Sequence, residues 1–429
     1  MNSGIASPLI SLYALGFDGV RKAGCRLLPM NGPSIGPGAR RAALHVASFG
    51  GIGVYVPFFP IWLGARGVPP DLMGVILALP IVVRIVAVAP LMALADRRLG
   101  ARRLIAGACL GVALVYLALL GADGVVALGG LVALLALAQA PIIPAADLVT
   151  IQAVQRDPRL DYGRIRLWGS IAFLAASIGG GYILEALPAD AVIWLLFVMA
   201  VGAMATAWVV VPASTPAHAD AGPKAPAGGA TRLSPSLRLV IAAAACTQAS
   251  HAALYGFGSI HWRDLGFSSA AIGWLWAVGV VAEILVFAVL GKNVGRSAPF
   301  WLILVGAGSG VFRFTALASD PGLAATFALQ ILHGLTFGAT HLGTMAAFAL
   351  LAPAAARGRA QGIMSAVMAL AMAAGTVASG SIFRAAGSLV FLAMAPLAAA
   401  GFLFALLAAR AFRAHPHSAG EGGWTRPPS

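Results

Sequence analysis

Ionisable side chains inside long apolar segments are the residues of this sequence best suited to chemistry. Glu283 and Arg84 lie near the centres of two such segments, Asp147 lies towards one end of a third, and Arg313 lies in a fourth. A charge at the centre of a bilayer costs at least about 2.5–3.5 kcal/mol, so these groups should face a cavity or a partner. A carboxyl group in apolar surroundings takes up a proton more readily than one in water. Glu283 and, second, Asp147 are therefore candidate proton carriers; structural salt bridges among the four residues are the alternative.

Two further segments carry histidines, which titrate near neutral pH, within polar stripes at helical spacing. A polar stripe in lipid must face other helices or water, so the two stripes predict one shared cavity wall or, alternatively, a packed interface between helices. His251, His333 and His341 are candidate proton-coupling residues, whereas His45 is interpreted as a packing residue. The first stripe comprises Gln248, His251, Tyr255, Ser259 and Trp262, and the second comprises Gln330, His333, Thr336, Thr340, His341 and Thr344.

Aromatic, amide and cationic side chains in these segments are candidates for binding a substrate. An arginine can pair with an anionic group of the substrate, and an aromatic side chain can contact its apolar body. Trp62 follows Tyr55 and Phe59 at helical spacing but is interpreted as an anchor at the membrane interface, where aromatic residues are enriched. The substrate-binding candidates are Arg84, Arg313, Tyr55, Phe59, Tyr255 and Gln248.

Two charged loops are candidates for gating. One begins with Asp96 and Arg97, and the other, DPRLDYGRIRLWGS at 157–170, contains Asp161, Arg164 and Arg166. Charges at the ends of membrane segments mostly fix the topology. An acid held among arginines at helix ends can also latch two halves of a protein in one conformation.

The composition excludes a water-soluble globule. Of the 429 residues, 60% are hydrophobic and only 10% are charged, with a mean hydropathy of +0.91. Soluble domains carry roughly 25% charged residues. The net charge of +14 resides in short gaps between apolar runs, which argues for membrane topology and against a nucleic-acid-binding face. No residue pattern implies a metal or another cofactor.

Apolar windows long enough to cross a bilayer predict an all-α membrane protein with twelve spans. An even number of spans places both termini on one side. That side carries 23 of the 28 Lys and Arg residues and is therefore predicted to be cytoplasmic. The predicted spans are 42–63, 72–95, 103–121, 124–148, 165–186, 190–211, 238–262, 270–291, 299–319, 322–349, 360–384 and 389–411.

The polar stretch 212–237 divides the spans into two sets of six and is predicted to be a cytoplasmic linker. The organisation is then a leader (1–41), two six-helix bundles (42–211 and 238–411), this linker and a tail (412–429). An internal repeat relates the bundles, and two such halves in the same orientation are typical of transporters. Tyr55, Trp62, Gly67 and Gly74 recur as Tyr255, Trp262, Gly266 and Gly273, and Arg84 and Glu283 each lie ten residues beyond the last glycine.

Several motifs resemble a known family. The loop from Asp96 to Arg103 is similar to the signature turn of the major facilitator superfamily, although Met92 replaces its leading glycine and Gly100 comes one place late. Four further segments resemble the bacterial 3-phenylpropionate permease family within that superfamily, and the likeness extends from about Phe49 to Arg410. They are DYGRIRLWGSIAF (161–173), HAALYGF (251–257), GWLWAVGVVAEILVFA (273–288) and LQILHGLTFGATHL (329–342).

The resemblance implies a major facilitator fold of two pseudo-symmetric six-helix bundles. It also implies a bacterial inner-membrane transporter that takes up a small aromatic carboxylate with protons. The cavity should be lined mainly by spans 1, 4, 7 and 10, in a monomer. Alternatives are a proton-coupled exporter of drugs or metabolites, a symporter of sugars or nucleosides, a membrane-embedded enzyme and a sensor without transport.

Overall fold

The computed structural model describes residues 36–213, 233–291, 298–353 and 357–414, and all regular secondary structure in these ranges is helical. Most of the predicted leader, linker and tail lies outside the described residues. Eleven helices in these ranges are long and apolar enough to cross a membrane. They are Gly38–Ala65, Pro70–Leu120, Val125–Arg156, Tyr162–Ala186, Ala191–Val210, Pro235–Asp264, Ser269–Leu290, Ala298–Leu317, Leu323–Leu351, Arg357–Ala386 and Leu389–Ala414.

The second of these helices makes two crossings. Pro70–Leu120 has 51 residues; a straight helix of that length would measure about 76 Å, more than twice the hydrocarbon thickness of about 30 Å. The chain turns at Gly100, whose φ of 73° and ψ of 158° are not helical. Pro70–Leu94 and Gly100–Leu120 are therefore spans 2 and 3, joined by a π-helical turn at Ala95–Leu99. The described residues thus form twelve crossings, numbered here in chain order as spans 1 to 12.

The sequence-based boundary of span 4 is wrong by more than a helical turn. The prediction ended the span at 148, where polar residues interrupt the apolar window, but the helix continues to Arg156. The residues that follow Asp147 include the buried Thr150 and Ala153, so they pack inside the first bundle rather than forming a loop.

Three of the four spans predicted to line the cavity are interrupted. Span 4 changes direction between Val125–Gln139 and Ile142–Arg156. Span 7 contains a π-helical segment at Leu254–Gly258, and span 10 contains one at Gly334–Ala339. π-Bulges within α-helices occur frequently at functional sites. Both π segments lie beside the predicted polar stripes.

The two halves pack in the same way. In the first half, span 1 packs against spans 5 and 6, span 3 against span 6, and span 2 against span 4. The equivalent contacts of the second half join span 7 to spans 11 and 12, span 9 to span 12, and span 8 to span 10. Span 2 meets span 11 and span 5 meets span 8 across the bundles. The fold is therefore the predicted pair of pseudo-symmetric six-helix bundles.

Glycines related by the internal repeat have equivalent structural roles in the two halves. Gly67 and Gly266, with φ of 73° and 84°, make the turns after spans 1 and 7. A Cβ at Gly74 of span 2 would lie 2.7 Å from the carbonyl oxygen of Thr376 in span 11. A Cβ at Gly273 of span 8 would collide with the carbonyl oxygen of Ser177 in span 5. Gly74 and Gly273 thus permit close contact between the bundles.

Exposed aromatic side chains form a belt near each end of the bundles, as expected at two membrane interfaces. We call the end that carries loops 95–99 and 157–161 the linker end, and the opposite end the far end. Trp62 does not belong to a belt, so the expectation that it anchors the interface is wrong: it is wholly buried, and Nε1 donates to Asp190 Oδ1 at 2.9 Å. The belts comprise Trp168, Trp208 and Trp301 at the linker end and Tyr182, Trp194 and Trp274 at the far end.

Candidate functional site

Arg313 is the centre of a buried polar cluster in the second bundle. Its Nη1 donates to Nδ1 of His333 at 3.2 Å and to Oγ1 of Thr336 at 3.0 Å, and its Nη2 donates to Oε1 of Gln330 at 2.5 Å. Gln330 in turn donates to the carbonyl oxygen of Leu275 at 3.0 Å. Because Arg313 has a relative exposure of 0%, its guanidinium is bound by its own bundle and is not exposed to a cavity.

The hydrogen bonds assign the tautomer of His333. Arginine has donors only, so Nδ1 of His333 must accept from Arg313. The proton of the neutral ring is then on Nε2, which lies 4.0 Å from Oε2 of Glu283. Arg313 therefore directs the N–H of His333 towards Glu283.

The hydrogen bonds of His251 assign its tautomer in the same way. Its Nδ1 lies 3.0 Å from the carbonyl oxygen of Thr247, which can only accept, so Nδ1 carries the proton. Nε2 must then accept from the hydroxyl of Thr336 at 3.0 Å. Since Thr336 also accepts from Arg313, one arginine orients two histidines.

Tyr255 connects this cluster with the aromatic part of the predicted site. Its ring stacks on Trp276 with centroids 5.8 Å apart, and it contacts the rings of His251 at 5.8 Å and His333 at 6.3 Å. The structure thus brings His251, Tyr255 and His333 of the two polar stripes together with Glu283 and Arg313, which belong to neither stripe. Thr336 and Gln330 belonged to a predicted stripe, but their role as partners of an arginine on another span was not predicted.

His341 and Gln248 lie nearer the linker end than this cluster. The ring of His341 stacks on Phe337 with centroids 6.1 Å apart and meets Phe287 edge-on at 6.0 Å. Gln248 is almost completely buried one turn before His251. The structure therefore places both residues beside the cluster and not among the partners of Arg313.

Arg84 has no partner for its charge among the residues that the structure describes. Within the described ranges its side chain forms no hydrogen bond or ion pair, and it is partly exposed. It lies seven residues after Leu77, on nearly the same face of span 2. Leu77 points at span 7, where its Cδ1 is 3.7 Å from the position of a Cβ at Gly256. By this spacing, Arg84 lies on the face of span 2 that is directed at the second bundle.

Arg84 and Glu283 lie at the same depth. Arg84 comes fourteen residues after Pro70, the first residue of span 2, and Glu283 comes fourteen after Ser269, the first of span 8. Each is therefore about 21 Å along its helix from the far end. The internal repeat places an arginine in one bundle where the other carries a carboxyl group.

The aromatic residues of span 1 form a stack. Tyr55 stacks on Phe59 with centroids 4.5 Å apart, and Phe59 stacks on Trp62 at 5.5 Å. Phe59 is wholly buried, whereas Tyr55 is partly exposed. The hydroxyl of Tyr55 has no hydrogen-bond partner among the described residues. Tyr55 is thus the member of the stack that can contact a ligand, and Phe59 supports it.

Asp147 lies in a separate cluster of the first bundle. Its Oδ1 accepts from the hydroxyl of Tyr162 at 3.0 Å and is 4.0 Å from Nδ1 of His45. The structure therefore does not place it with Glu283. His45, interpreted from sequence as a packing residue, hydrogen-bonds Thr150 across spans 1 and 4 at 3.0 Å. No spacing in the sequence linked these residues, because they come from three different spans.

The predicted gating residues fall into two groups. Arg166 is buried, and its guanidinium carbon lies 3.6 Å from the centre of the Phe49 ring, beside the Asp147 cluster. Asp161 instead caps span 5 by accepting from the backbone N–H of Arg164 at 2.7 Å. Asp96 and Arg97 are exposed in the turn between spans 2 and 3. Arg166 is thus separated from the exposed loop charges with which the sequence grouped it.

The two bundles meet at the far end. Arg384 of span 11 donates to Asp71 of span 2 at 2.8 Å, and Ser177 of span 5 donates to the carbonyl oxygen of Gly273 at 3.0 Å. Trp274 also donates to the hydroxyl of Tyr182 at 3.3 Å. Together with the contacts at Gly74, these bonds close the molecule at the far end. The sequence analysis did not predict this closure.

We expect Gly273→Leu to hold the far end open. The added side chain has no space beside Ser177, and overpacking of this kind costs about 1–3 kcal/mol. A cysteine introduced at Leu77 in a cysteine-free background should then react faster with a membrane-impermeant thiol reagent supplied at the far end. Gly202→Leu is the matched control, because a Cβ at Gly202 meets nothing within 4 Å. Equal labelling rates in the two variants would show that Gly273 does not control the closure.

Comparison with known proteins gives a family and a relative. The model of the MFS_1 like family matches residues 42–393. The chain is 31% identical over 367 residues to a protein of Escherichia coli (strain K12) described as a probable 3-phenylpropionic acid transporter, covering 81% of this chain and 91% of that protein.

Solved structures with low sequence identity share the fold. A crystal structure of the nucleoside transporter NupG matches with a TM-score of 0.73 at 15% identity, over 88% of this chain and 99% of that chain. A bacterial homolog to the human lysosomal transporter Spinster, in an inward-facing and occupied conformation, matches with a TM-score of 0.64 at 13% identity, over 91% and 98% of the two chains.

Proposed function

The chain belongs to the MFS_1 like family of major facilitator transporters, and from that premise we propose that it takes up a small aromatic carboxylate together with protons. The proposed location is a bacterial inner membrane, with both termini in the cytoplasm. Residues 42–211 and 238–411 would rock against each other to expose the site to one side at a time.

The unpaired charge of Arg84 carries this proposal. An isolated cation at mid-membrane is costly, and a protein that keeps one usually has a partner for it. Asp147 and Glu283 lie in other clusters, so no carboxylate of the described residues is within 4.0 Å of Arg84. A substrate carboxylate fits this position, because guanidinium binds carboxylate with two parallel hydrogen bonds. A neutral sugar or nucleoside would leave the charge unmatched.

Aromatic side chains at equivalent depths supply the apolar part of the site. Tyr55 and Tyr255 are partners in the internal repeat, and each is supported by a buried ring, Phe59 or Trp276. Aromatic rings in contact prefer stacked or edge-on packing, which favours an aryl group in the substrate. The relative described as a probable 3-phenylpropionic acid transporter supports the same substrate class.

Glu283 is the proposed proton carrier. When the carboxyl group is ionised, the Nε2–H of His333 faces it and stabilises the negative charge, which apolar surroundings disfavour. When it is protonated, that stabilisation is no longer needed. Arg313 acts through His333 and is therefore a positioning residue, and His251 is held by the same network.

Removal of Arg313 should destabilise the second bundle. Arg313→Met leaves acceptors on His333, Thr336 and Gln330 without their donor, and each buried unsatisfied group costs about 1–3 kcal/mol. We expect a lower unfolding temperature in detergent and a shifted pH profile of substrate exchange, with partial rescue by Arg313→Lys. The exposed Arg238 provides the control variant Arg238→Met. If Arg313→Met unfolds at the wild-type temperature, the network is not what positions His333.

Uptake into proteoliposomes tests the proposed function. Radiolabelled benzoate, phenylacetate and 3-phenylpropionate would each be supplied with and without an inward proton gradient. Gradient-dependent accumulation of one acid beyond that of protein-free liposomes, which trap permeant weak acids in an alkaline lumen, supports symport. Accumulation driven by the opposite gradient would identify an exporter, and no transport of any acid would overturn the assignment of substrate class.

A further inference from the structure

His45 and Asp147 form a buried pair in the first bundle, and their side chains are not hydrogen-bonded to each other. Nδ1 of His45 lies 4.0 Å from Oδ1 of Asp147, and both residues are buried, with exposures of 0% and 7%. Within the described part of the chain, Nδ1 of His45 has no hydrogen-bond partner. This cluster is outside the Glu283 network and is not used by the proposed function.

The hydrogen bonds of Thr150 bear on the tautomer of His45. The hydroxyl of Thr150 donates its single hydrogen to the carbonyl oxygen of Ala146 at 2.8 Å. With this hydrogen used, Thr150 accepts from Nε2 of His45, 3.0 Å away, and in that neutral tautomer Nδ1 carries no hydrogen. The ionised carboxylate of Asp147 has acceptors only. Two acceptors face each other in a buried place, and one added proton would turn this unfavourable contact into a charge-assisted hydrogen bond.

We propose that His45 and Asp147 bind one proton between them, at a site distinct from Glu283. The proton joins span 1 to the second segment of span 4, Ile142–Arg156, which also carries Thr150. It therefore strengthens the attachment of this segment on the linker-end side of the break in span 4. The bound proton is a regulatory one, because the pair is buried within one bundle instead of facing the other.

Charged and titratable neighbours define the setting of this site. Span 5 contributes the hydroxyl of Tyr162, which already donates to Asp147, and the guanidinium of Arg166, which acts electrostatically on both members of the pair. Span 3 contributes the buried thiol of Cys109, which packs in one apolar cluster with Leu44 and Ala146. Span 6, Ala191–Val210, has no titratable side chain.

Nitrogen NMR of the full chain in lipid nanodiscs, with ¹⁵N-labelled histidine, tests proton binding directly. The signals of His45 are identified among the 8 histidines by their loss in His45→Asn. In the wild type, we expect the ¹⁵N chemical shift of Nδ1 of His45 to change with pH, from that of a nitrogen without a hydrogen bond to that of a hydrogen-bonded one. In Asp147→Asn the amide N–H supplies a donor at every pH, so the change should be lost. An Nδ1 shift that does not change with pH in the wild type overturns the proposal.

Asp123→Asn is the matched control, because Asp123 is exposed in a far-end loop. This variant should keep the wild-type titration of His45. If Asp123→Asn loses it as well, the titration does not report on the His45 and Asp147 pair, and the proposal is again overturned.

Transport measurements test the regulatory role, which depends on the proposed function. Equilibrium exchange of radiolabelled 3-phenylpropionate, at fixed far-end pH and varied linker-end pH, is measured in Glu283→Gln, which lacks the proposed carrier. Exchange should depend on pH in this variant and lose the dependence when Asp147→Asn is added to it. Retained dependence in the double variant would remove the regulatory role. Absence of exchange by the wild type would count against the proposed substrate, whereas the NMR titration decides proton binding independently.

Discussion

Glu283→Gln is expected to abolish proton-driven accumulation while preserving exchange of substrate across the membrane. A gradient of one pH unit supplies about 1.4 kcal/mol per coupled proton, enough for about tenfold accumulation. A glutamine cannot carry a proton through the cycle, so the variant should reach a concentration ratio of about one. Exchange needs no net proton movement and should continue, because glutamine fills the same volume and can accept from His333.

The control for this experiment is Glu185→Gln, the same chemical change at an exposed site near the far end of span 5. It should accumulate substrate as the wild type does. Normal accumulation by Glu283→Gln would exclude Glu283 as the proton carrier, and loss of both accumulation and exchange would assign it to substrate binding.

Arg84→Met is expected to weaken substrate binding and to stabilise the fold at the same time. A hydrogen bond to a charged group contributes about 1.5–3 kcal/mol, so the Kd for the carboxylate should rise about 10- to 150-fold. Removing an unpaired charge from mid-membrane has the opposite effect on folding, and the unfolding temperature should increase. Arg84→Lys keeps the charge but not the planar pair of donors, so its Kd should fall between those of the wild type and Arg84→Met.

The uncharged amide of 3-phenylpropionate shows whether the carboxylate is the partner of Arg84. The wild type should prefer the acid strongly, and Arg84→Met should bind acid and amide nearly equally. Arg238→Gln, which removes an exposed arginine at the linker end, should retain the wild-type preference. An unchanged preference in Arg84→Met, or a lower unfolding temperature, would show that Arg84 is instead a structural residue.

Hydropathy predicts the spans well because lipid imposes the same requirement on each of them: the backbone polar groups must be hydrogen-bonded within the protein. The prediction fails at span 4, where the helix continues past Asp147 with Thr150 buried and with Gln152, Gln155 and Arg156 exposed. The repeat of Tyr55 and Tyr255 predicts equal depths, because depth along a helix follows directly from residue spacing. Trp62 shows where residue type misleads. A tryptophan suggests a membrane interface, but Trp62 is buried and hydrogen-bonds Asp190, which lies in a loop distant in the sequence.

The partners of the charged residues could not be predicted in the same way. Helical spacing shows which residues share a face, but not how neighbouring helices are rotated against one another. The sequence therefore left Arg84 and Arg313 equivalent as partners of Glu283 or of a substrate. The structure distinguishes them, because Gln330 and Thr336 bind Arg313 whereas no acceptor in the described ranges binds Arg84.

The glycine contacts between the bundles also have a kinetic consequence. Gly74 of span 2 meets Gly380 of span 11 with backbone against backbone, and Gly273 meets the backbone of span 5 in the same manner. Surfaces without interlocking side chains separate without rotamer changes, so little activation energy is needed to part them. The barrier to opening the far end then falls mainly on the hydrogen bonds there. Among them, the bond between Arg384 and Asp71 joins side chains that are 60% and 31% exposed and therefore open to replacement by water, whereas the bond from Ser177 to Gly273 is buried.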